Sequence, residues 1–313
     1  MEDGHSALGV YLRGIFMGAA DAVPGVSGGT IALLTGIYQR LIAAITAVDP
    51  DRLLAVLAAP LPGRRGAAVE AVDEMDGLFL AALGAGILTA VITVSRLLEA
   101  AMHSYPVATF GGFFGFIAAS AWLLRREMVL DTRARQLAAV SGFLLAFLLS
   151  GRAEGALGHG PVVVFLAGSV AVSAMILPGI SGSLILLLLG QYEYMITRLK
   201  RFVDGLVSLV SGDAGAGIPE ESLTIVLFVA GGGFGLVTIS HAVKLALARR
   251  QSATMTFLVA LVVGALRAPV VQAGRALPDG WSQGALVTFA ITAVIGGAFV
   301  IGIERAASVD VVA

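Results

Sequence analysis

Ser27, Ser181 and Ser183 stand in two short stretches whose residue types suit the holding of an anion. The stretches are Pro24-Gly25-Val26-Ser27-Gly28-Gly29-Thr30 and Pro178-Gly179-Ile180-Ser181-Gly182-Ser183. Proline removes a backbone donor and glycine adds backbone freedom, so each stretch breaks a helix. A helix restarts just after each break, near Gly29 or Thr30 and near Ser183 or Leu184. Its first N–H groups have no intrahelical partner, and its dipole end is positive. The hydroxyls add donors, and the glycines let a ligand approach the backbone. Such a terminus suits phosphate above all. A plainer reading makes the serines helix caps and the glycines packing residues. Capping explains neither why the breaks lie in apolar sequence nor why there are two.

The isolated ionisable residues come next. Asp21 is the only carboxylate in the arms of the first break, three residues before Pro24. Charge inside a bilayer is costly and usually functional. Asp21 is therefore a candidate proton carrier or cation-coordinating residue, with a local cap or turn partner as the bland alternative. The matching residue in the second half is Met175, so this role is one-sided. Arg96 and His241 are repeat equivalents, each following a serine. They are candidates for compensating an anion's charge, against ordinary snorkelling to lipid head groups. The four His residues are far apart in sequence and there is no Cys. No metal site, thiol nucleophile or disulfide is expected. The formal net charge of −1 gives no reason to expect nucleic acid.

The elements that must position these residues are membrane helices. The 313-residue chain is 58% hydrophobic and 13% charged, with mean hydropathy +0.93; soluble domains average about 25% charged. A span needs about 20 apolar residues. Leu8–Asp21 is too short to cross, stops at the first break, and is followed by a second arm, Thr30–Val48. Two arms around a central break read as a re-entrant hairpin. A polar connection, Asp49–Asp76, follows, with an amphipathic middle at Leu53–Ala59. Spans are expected at Gly77–Ser95, Pro106–Leu124 and Gln136–Ser150. The second half repeats the order: arms Pro161–Leu177 and Leu184–Ile196, a polar loop Arg198–Ser222, then spans Leu223–Ala248, Thr254–Val271 and Ala285–Ile303. Gly36 and Tyr38 answer Gly190 and Tyr192 at an offset of 154, and Ser95-Arg96 answers Ser240-His241 at 145.

The expected fold is an all-α polytopic membrane protein of two repeats, each one re-entrant helical hairpin plus three transmembrane helices. It forms a single membrane domain over 1–313. Repeat one covers 8–150 (hairpin 8–48) and repeat two 161–303 (hairpin 161–196). A hairpin makes no net crossing and three spans do, so the repeats are inverted, as in many secondary transporters. Full crossing by the hairpins would make them parallel instead; the short first arm favours inversion. Lys and Arg are more numerous in the loops on the N-terminal side, which predicts both termini cytoplasmic. The Gly-rich runs Gly111-Gly112, Gly231-Gly232-Gly233 and Gly296-Gly297 read as close helix packing, because no Gly-Lys-Ser/Thr pattern accompanies them.

The run from Gly14 to Thr30 with Gly36-Ile37-Tyr38, and Leu177 to Ser183 with Gly190-Gln191-Tyr192, closely resembles the DUF368 membrane family over nearly the whole chain. The resemblance implies translocation of polyprenyl phosphate (undecaprenyl phosphate in bacteria), recycling the lipid carrier to the cytoplasmic face. The phosphate would sit at the two helix termini, with the tail leaving sideways into lipid. A coupling ion, proton or sodium, is a further expected partner; the resemblance also implies that Asn occurs at the Asp21 position, which counts against a proton role. No cofactor is expected.

Two other classes compete. A polyprenyl-pyrophosphate phosphatase would need a nucleophile, a base and phosphate-gripping cations. Neither break contains His or paired Glu, and Gly182 stands where an Arg would be wanted, so no catalytic residue is assigned. A small-anion or ion-coupled exporter would share the architecture without the lipid.

Overall fold

In the computed structural model, residues 6–47, 50–59, 64–150, 157–175, 181–211 and 219–310 are described, and their regular structure is entirely helical. The chain divides into two compact units, Met1–Ala20 with Gly28–Val91, and Asp21–Ser27 with Ile92–Ala313. Of the first break, Pro24–Ser27 thus belong to the second unit and Gly28–Thr30 to the first.

The first unit takes most of α1 (Ala7–Ala22), then α2 (Gly28–Leu34), α3 (Tyr38–Ala47), α4 (Pro50–Leu57), α5 (Arg65–Glu74) and the start of α6 (Gly77–Ser104). Its core is Val10, Met17, Ala32, Ile37, Ala44, Phe79 and Leu83. The helices α1 and α6 touch backbone to backbone. A Cβ on Gly14 would strike the Leu83 carbonyl, and one on Gly86 would strike the Tyr11 carbonyl. Between α2 and α3 the chain turns by 120°. Gly36, at φ +70, makes the turn. Its N–H donates to the Leu33 carbonyl and the Ile37 N–H donates to the Ala32 carbonyl. This pairing is a Schellman cap, which needs a left-handed residue best supplied by glycine.

The second unit holds the rest of α6, α7 (Pro106–Leu124), a 3-10 turn (Arg125–Glu127), α8 (Arg133–Leu149), α9 (Pro161–Ala174), α10 (Gly182–Leu188), α11 (Tyr192–Ser211), α12 (Ser222–Ala265), α13 (Arg267–Arg275) and α14 (Gln283–Asp310). α12 is kinked at Arg250, whose φ of −147 and ψ of 56 are not helical. Glycines again set the close contacts. A Cβ on Gly111 would meet Thr292, and one on Gly115 or Gly296 would meet the carbonyl of Ala293 or Gly112, so α7 and α14 are in backbone contact. Those of Gly168 and Gly231 would meet the Phe228 and Phe165 carbonyls, joining α9 to α12.

Local geometry recurs along the chain. The Schellman cap of α2 has a counterpart in α10, where Gly190 (φ +66) donates to Leu187 and Gln191 donates to Leu186. Each atom pair lies 154 residues beyond its partner in α2. The Gly14–Leu83 and Gly86–Tyr11 contacts match Gly168–Phe228 and Gly231–Phe165, with α9 shifted by 154 and α12 by 145. The Arg250 kink lies 145 residues beyond Tyr105, which has φ −136 and ψ 54.

Two expectations are corrected. Neither second arm is one straight run, because the Schellman caps bend Thr30–Val48 into α2 and α3, and divide Leu184–Ile196 between α10 and α11. The stretch Arg198–Ser222 is not all loop, since α11 continues to Ser211. Asp204 and Lys200 pair with Arg96 and Glu99 of α6, and Arg198 pairs with Glu221 at the far end of the same stretch. Among the described residues four helices are long and apolar enough to cross a membrane, Gly77–Ser104, Pro106–Glu127, Ala248–Arg275 and Gln283–Arg305. The bent pair α2–α3 would make a fifth. α8, at 17 residues, and the apolar stretch Ser222–Leu236 are shorter. The protein is a multi-pass helical membrane protein.

Candidate functional site

The first break is fixed from both ends by side chains distant in sequence. α1 ends at Ala22, and Val26 N–H turns back to the Val23 carbonyl. Pro24 and Gly25 are buried. Gly25 has φ +94, and a Cβ there would lie 2.9 Å from the Ile117 nitrogen of α7. Two carbonyls freed by the break find donors. The Tyr192 hydroxyl donates to the Ala22 carbonyl at 2.7 Å, and Ser120 Oγ donates to the Gly25 carbonyl at 2.5 Å. Ser120 Oγ also lies 3.0 Å from the Phe116 carbonyl. In an apolar interior an unpaired carbonyl costs several kcal/mol, roughly, so these hydroxyls make the break tolerable. Tyr192 is 2% exposed and its ring meets Phe113 edge-on at 5.7 Å. Ala22 and Val23 pack into the cluster that holds Ile117, Leu184, Leu187, Leu188 and Tyr192. The first break and the second hairpin therefore share one core.

At the second break, Pro178 and Gly179 lie outside the described residues. Ser181 sits at the N-cap of α10 with φ −96 and ψ 137, but its side chain makes no capping bond. Its hydroxyl instead lies 2.6 Å from that of Ser183. Both serines are buried, at 1% and 6% exposed. The plain capping reading therefore does not hold for the Ser181 side chain. Gly182 is buried too, and a Cβ on it would lie 3.0 Å from Met175 Sδ and 3.1 Å from the Ala171 carbonyl.

The remaining expected residues are placed as follows. Ser27 is half-buried, and Gly28, Gly29 and Thr30 form the first turn of α2, with Gly28 buried and the other two half-buried. Asp21 is half-buried in the last turn of α1. Arg96 does not stand as an open cation, because it pairs with Asp204 of α11, beside the Lys200–Glu99 pair at 2.6 Å. His241 lies in α12, and its side chain is outside the described residues. In α7, Phe110 and Phe113 are core residues. Among the described residues no group of three His, Cys, Asp or Glu could hold a metal ion.

Ser120 and the Tyr192 hydroxyl were not anticipated as parts of the site. Ser120 had one signal, a lone hydroxyl near the end of an apolar span. Tyr192 was legible only as the counterpart of Tyr38.

The profile of the undecaprenyl phosphate translocase-like family matches residues 17–276. The chain belongs to that family. The match spans both breaks and the helices between them. A polyprenyl-phosphate transporter of Vibrio cholerae serotype O1 is 34% identical over 259 residues, covering 83% of this chain and 76% of the relative. No solved structure matches.

Proposed function

We propose that the protein is a flippase that carries polyprenyl phosphate across the cytoplasmic membrane, returning the lipid carrier to the cytoplasmic face for reuse. The observation that supports this most is the family match over residues 17–276, which includes both breaks. The ligand is a phosphate on an apolar tail, and the two breaks offer what such a head group needs. The first supplies Pro24, Gly25, Ser27, Gly28, Gly29 and Thr30, and the second Pro178, Gly179, Ser181, Gly182 and Ser183. Backbone N–H groups at restarting helices, with serine hydroxyls beside them, hold the phosphate while the isoprenoid chain trails into lipid. Arg96 and His241 lend charge when the head group passes, Arg96 by exchanging Asp204 for phosphate. No bond of the lipid is made or broken, so the protein is not an enzyme.

In this reading the halves are inverted repeats over 8–150 and 161–303, with both termini cytoplasmic, and the breaks serve either face in turn. Asp21, which has no carboxylate counterpart, couples transport to a proton or sodium ion. Reconstitution tests the proposal. Vesicles containing the purified protein are expected to move labelled polyprenyl phosphate between leaflets without releasing inorganic phosphate. Movement no faster than in protein-free vesicles, or release of phosphate, would overturn it.

A further inference from the structure

The kink in α12 carries a feature that the two breaks do not use. At Arg250 the helix departs from helical geometry, and beside it lies a cavity of about 560 Å³ lined by Ala246, Arg249, Arg250, Ala253, Thr254, Phe257 and Leu258. Its wall is almost wholly apolar, and among the described residues no acidic side chain lines it. Arg249 and Arg250 are among its lining residues, and both are exposed. Arg40, Arg52, Arg96, Arg135 and Arg198 are each paired with a carboxylate. Neither Arg249 nor Arg250 makes an ion pair or hydrogen bond among the described residues.

The surroundings are basic as well. Val129 N–H donates to Thr256 Oγ1 at 3.1 Å, and the Thr256 hydroxyl donates to the Val129 carbonyl at 3.2 Å. Thr256 is six residues from Arg250, about 9 Å along a helix. The turn containing Arg125 and Arg126 and the start of α8, with Arg133, therefore lie at the same end of this unit. Phe257 closes the wall against Gly142 of α8, where a Cβ would strike the Phe257 carbonyl. The apolar stretch Ala248–Arg275, long enough to cross a membrane, starts at this corner, and lipid head groups lie at the ends of such spans.

We propose that this corner is a binding site for an anionic phospholipid of the surrounding bilayer. Its phosphate is held by Arg249 and Arg250, and an acyl chain lies against Ala253, Phe257 and Leu258. Basic pockets between membrane helices take anionic head groups in this way, and a guanidinium fork matches phosphate oxygens. A free phosphate ion would have no use for the apolar wall. The corner is also one-sided. At the matching turn between α6 and α7, the residues 145 positions earlier are Ser104 and Tyr105, without a cation. None of the residues lining the corner belongs to either break. The inference needs the chain to be a membrane protein but not that it moves polyprenyl phosphate.

Native mass spectrometry of the purified protein, with phosphatidylglycerol or phosphatidylcholine added, tests it. The full chain is expected to retain one phosphatidylglycerol in preference to phosphatidylcholine. Arg249→Gln with Arg250→Gln should weaken that retention about thirtyfold, the change expected for two cations near an anionic surface. Arg64→Gln with Arg65→Gln, on another basic stretch, should leave it unchanged. Equal retention of both lipids, or equal loss in both double variants, would overturn the proposal. Arginine-dependent retention of polyprenyl phosphate but not phosphatidylglycerol would overturn the assignment to a bilayer phospholipid, as would arginine-dependent stabilisation by inorganic phosphate alone.

Discussion

Replacing Tyr192 with Phe removes one hydroxyl and leaves the ring. The edge-on contact with Phe113 and the burial of the ring are retained, so the substitution isolates the bond to the Ala22 carbonyl. That carbonyl lies in the last turn of α1, where no intrahelical donor can replace Tyr192. A carbonyl left unpaired in a protein interior costs about 1–3 kcal/mol. Hydrogen bonds inside membrane proteins average nearer 0.6 and reach about 1.7 kcal/mol. The cost should therefore fall at about 1–2 kcal/mol, a five- to thirtyfold change in the equilibrium that keeps the break in place. Thermal unfolding of the purified protein should show a lower midpoint, and transport in vesicles should fall with it. Ser120→Ala should act on the Gly25 carbonyl in the same direction. The two bonds hold carbonyls three residues apart, so the double variant should lose less than the sum of the single losses or more, not the plain sum. A Tyr192→Phe protein with unchanged midpoint and unchanged transport would refute the claim that this hydroxyl holds the first break.

Three further outcomes can be checked directly. Gly36→Ala should destabilise by about 1–2 kcal/mol, the cost of a left-handed residue with a Cβ. Nothing lies within 4 Å of the new methyl group, so the loss in a thermal melt reports conformation alone. Arg40→Gln removes a two-bond ion pair with Asp76, at 2.6 and 2.9 Å, and the stacking of Arg40 on Phe79. Both partners are over a third exposed, so the cost should stay below about 1 kcal/mol and shrink as salt is added. Asp21→Asn should abolish any dependence of transport on proton or sodium gradients; dependence that survives would remove Asp21 from coupling.

How much of this could be read in the residues depended on whether the cause was local. The two breaks were visible because Pro and Gly interrupt apolar runs. The turn at Tyr105 was visible because Pro106 pushes the residue before it out of the helical region. Its counterpart at Arg250 has neither Pro nor Gly, so α12 read as two unremarkable spans. The bend between α2 and α3 was hidden because the apolar pattern continues across Gly36, and only its positive φ marks the turn. α11 read as loop because Arg198, Lys200, Arg201 and Asp204 crowd its middle. Three of those charges are neutralised by Glu221, on the next helix's approach, and by Glu99 and Arg96, far away in the chain. The supports of the first break were least legible, since Ser120 and Tyr192 lie 95 and 170 residues from the carbonyls they hold. No local pattern announces such a pair.

The central claim is that both breaks hold one phosphate, and single-break variants measured for translocation test it most directly. Gly28→Leu and Gly182→Leu each put a large side chain into the first turn of the helix that restarts after one break, the second against Met175 and the Ala171 carbonyl. Labelled polyprenyl phosphate should stop moving between vesicle leaflets in either variant, although the protein still inserts and melts cooperatively. Translocation that continues at half the original rate in each variant would mean that the breaks work separately, and translocation unchanged in either would contradict the account.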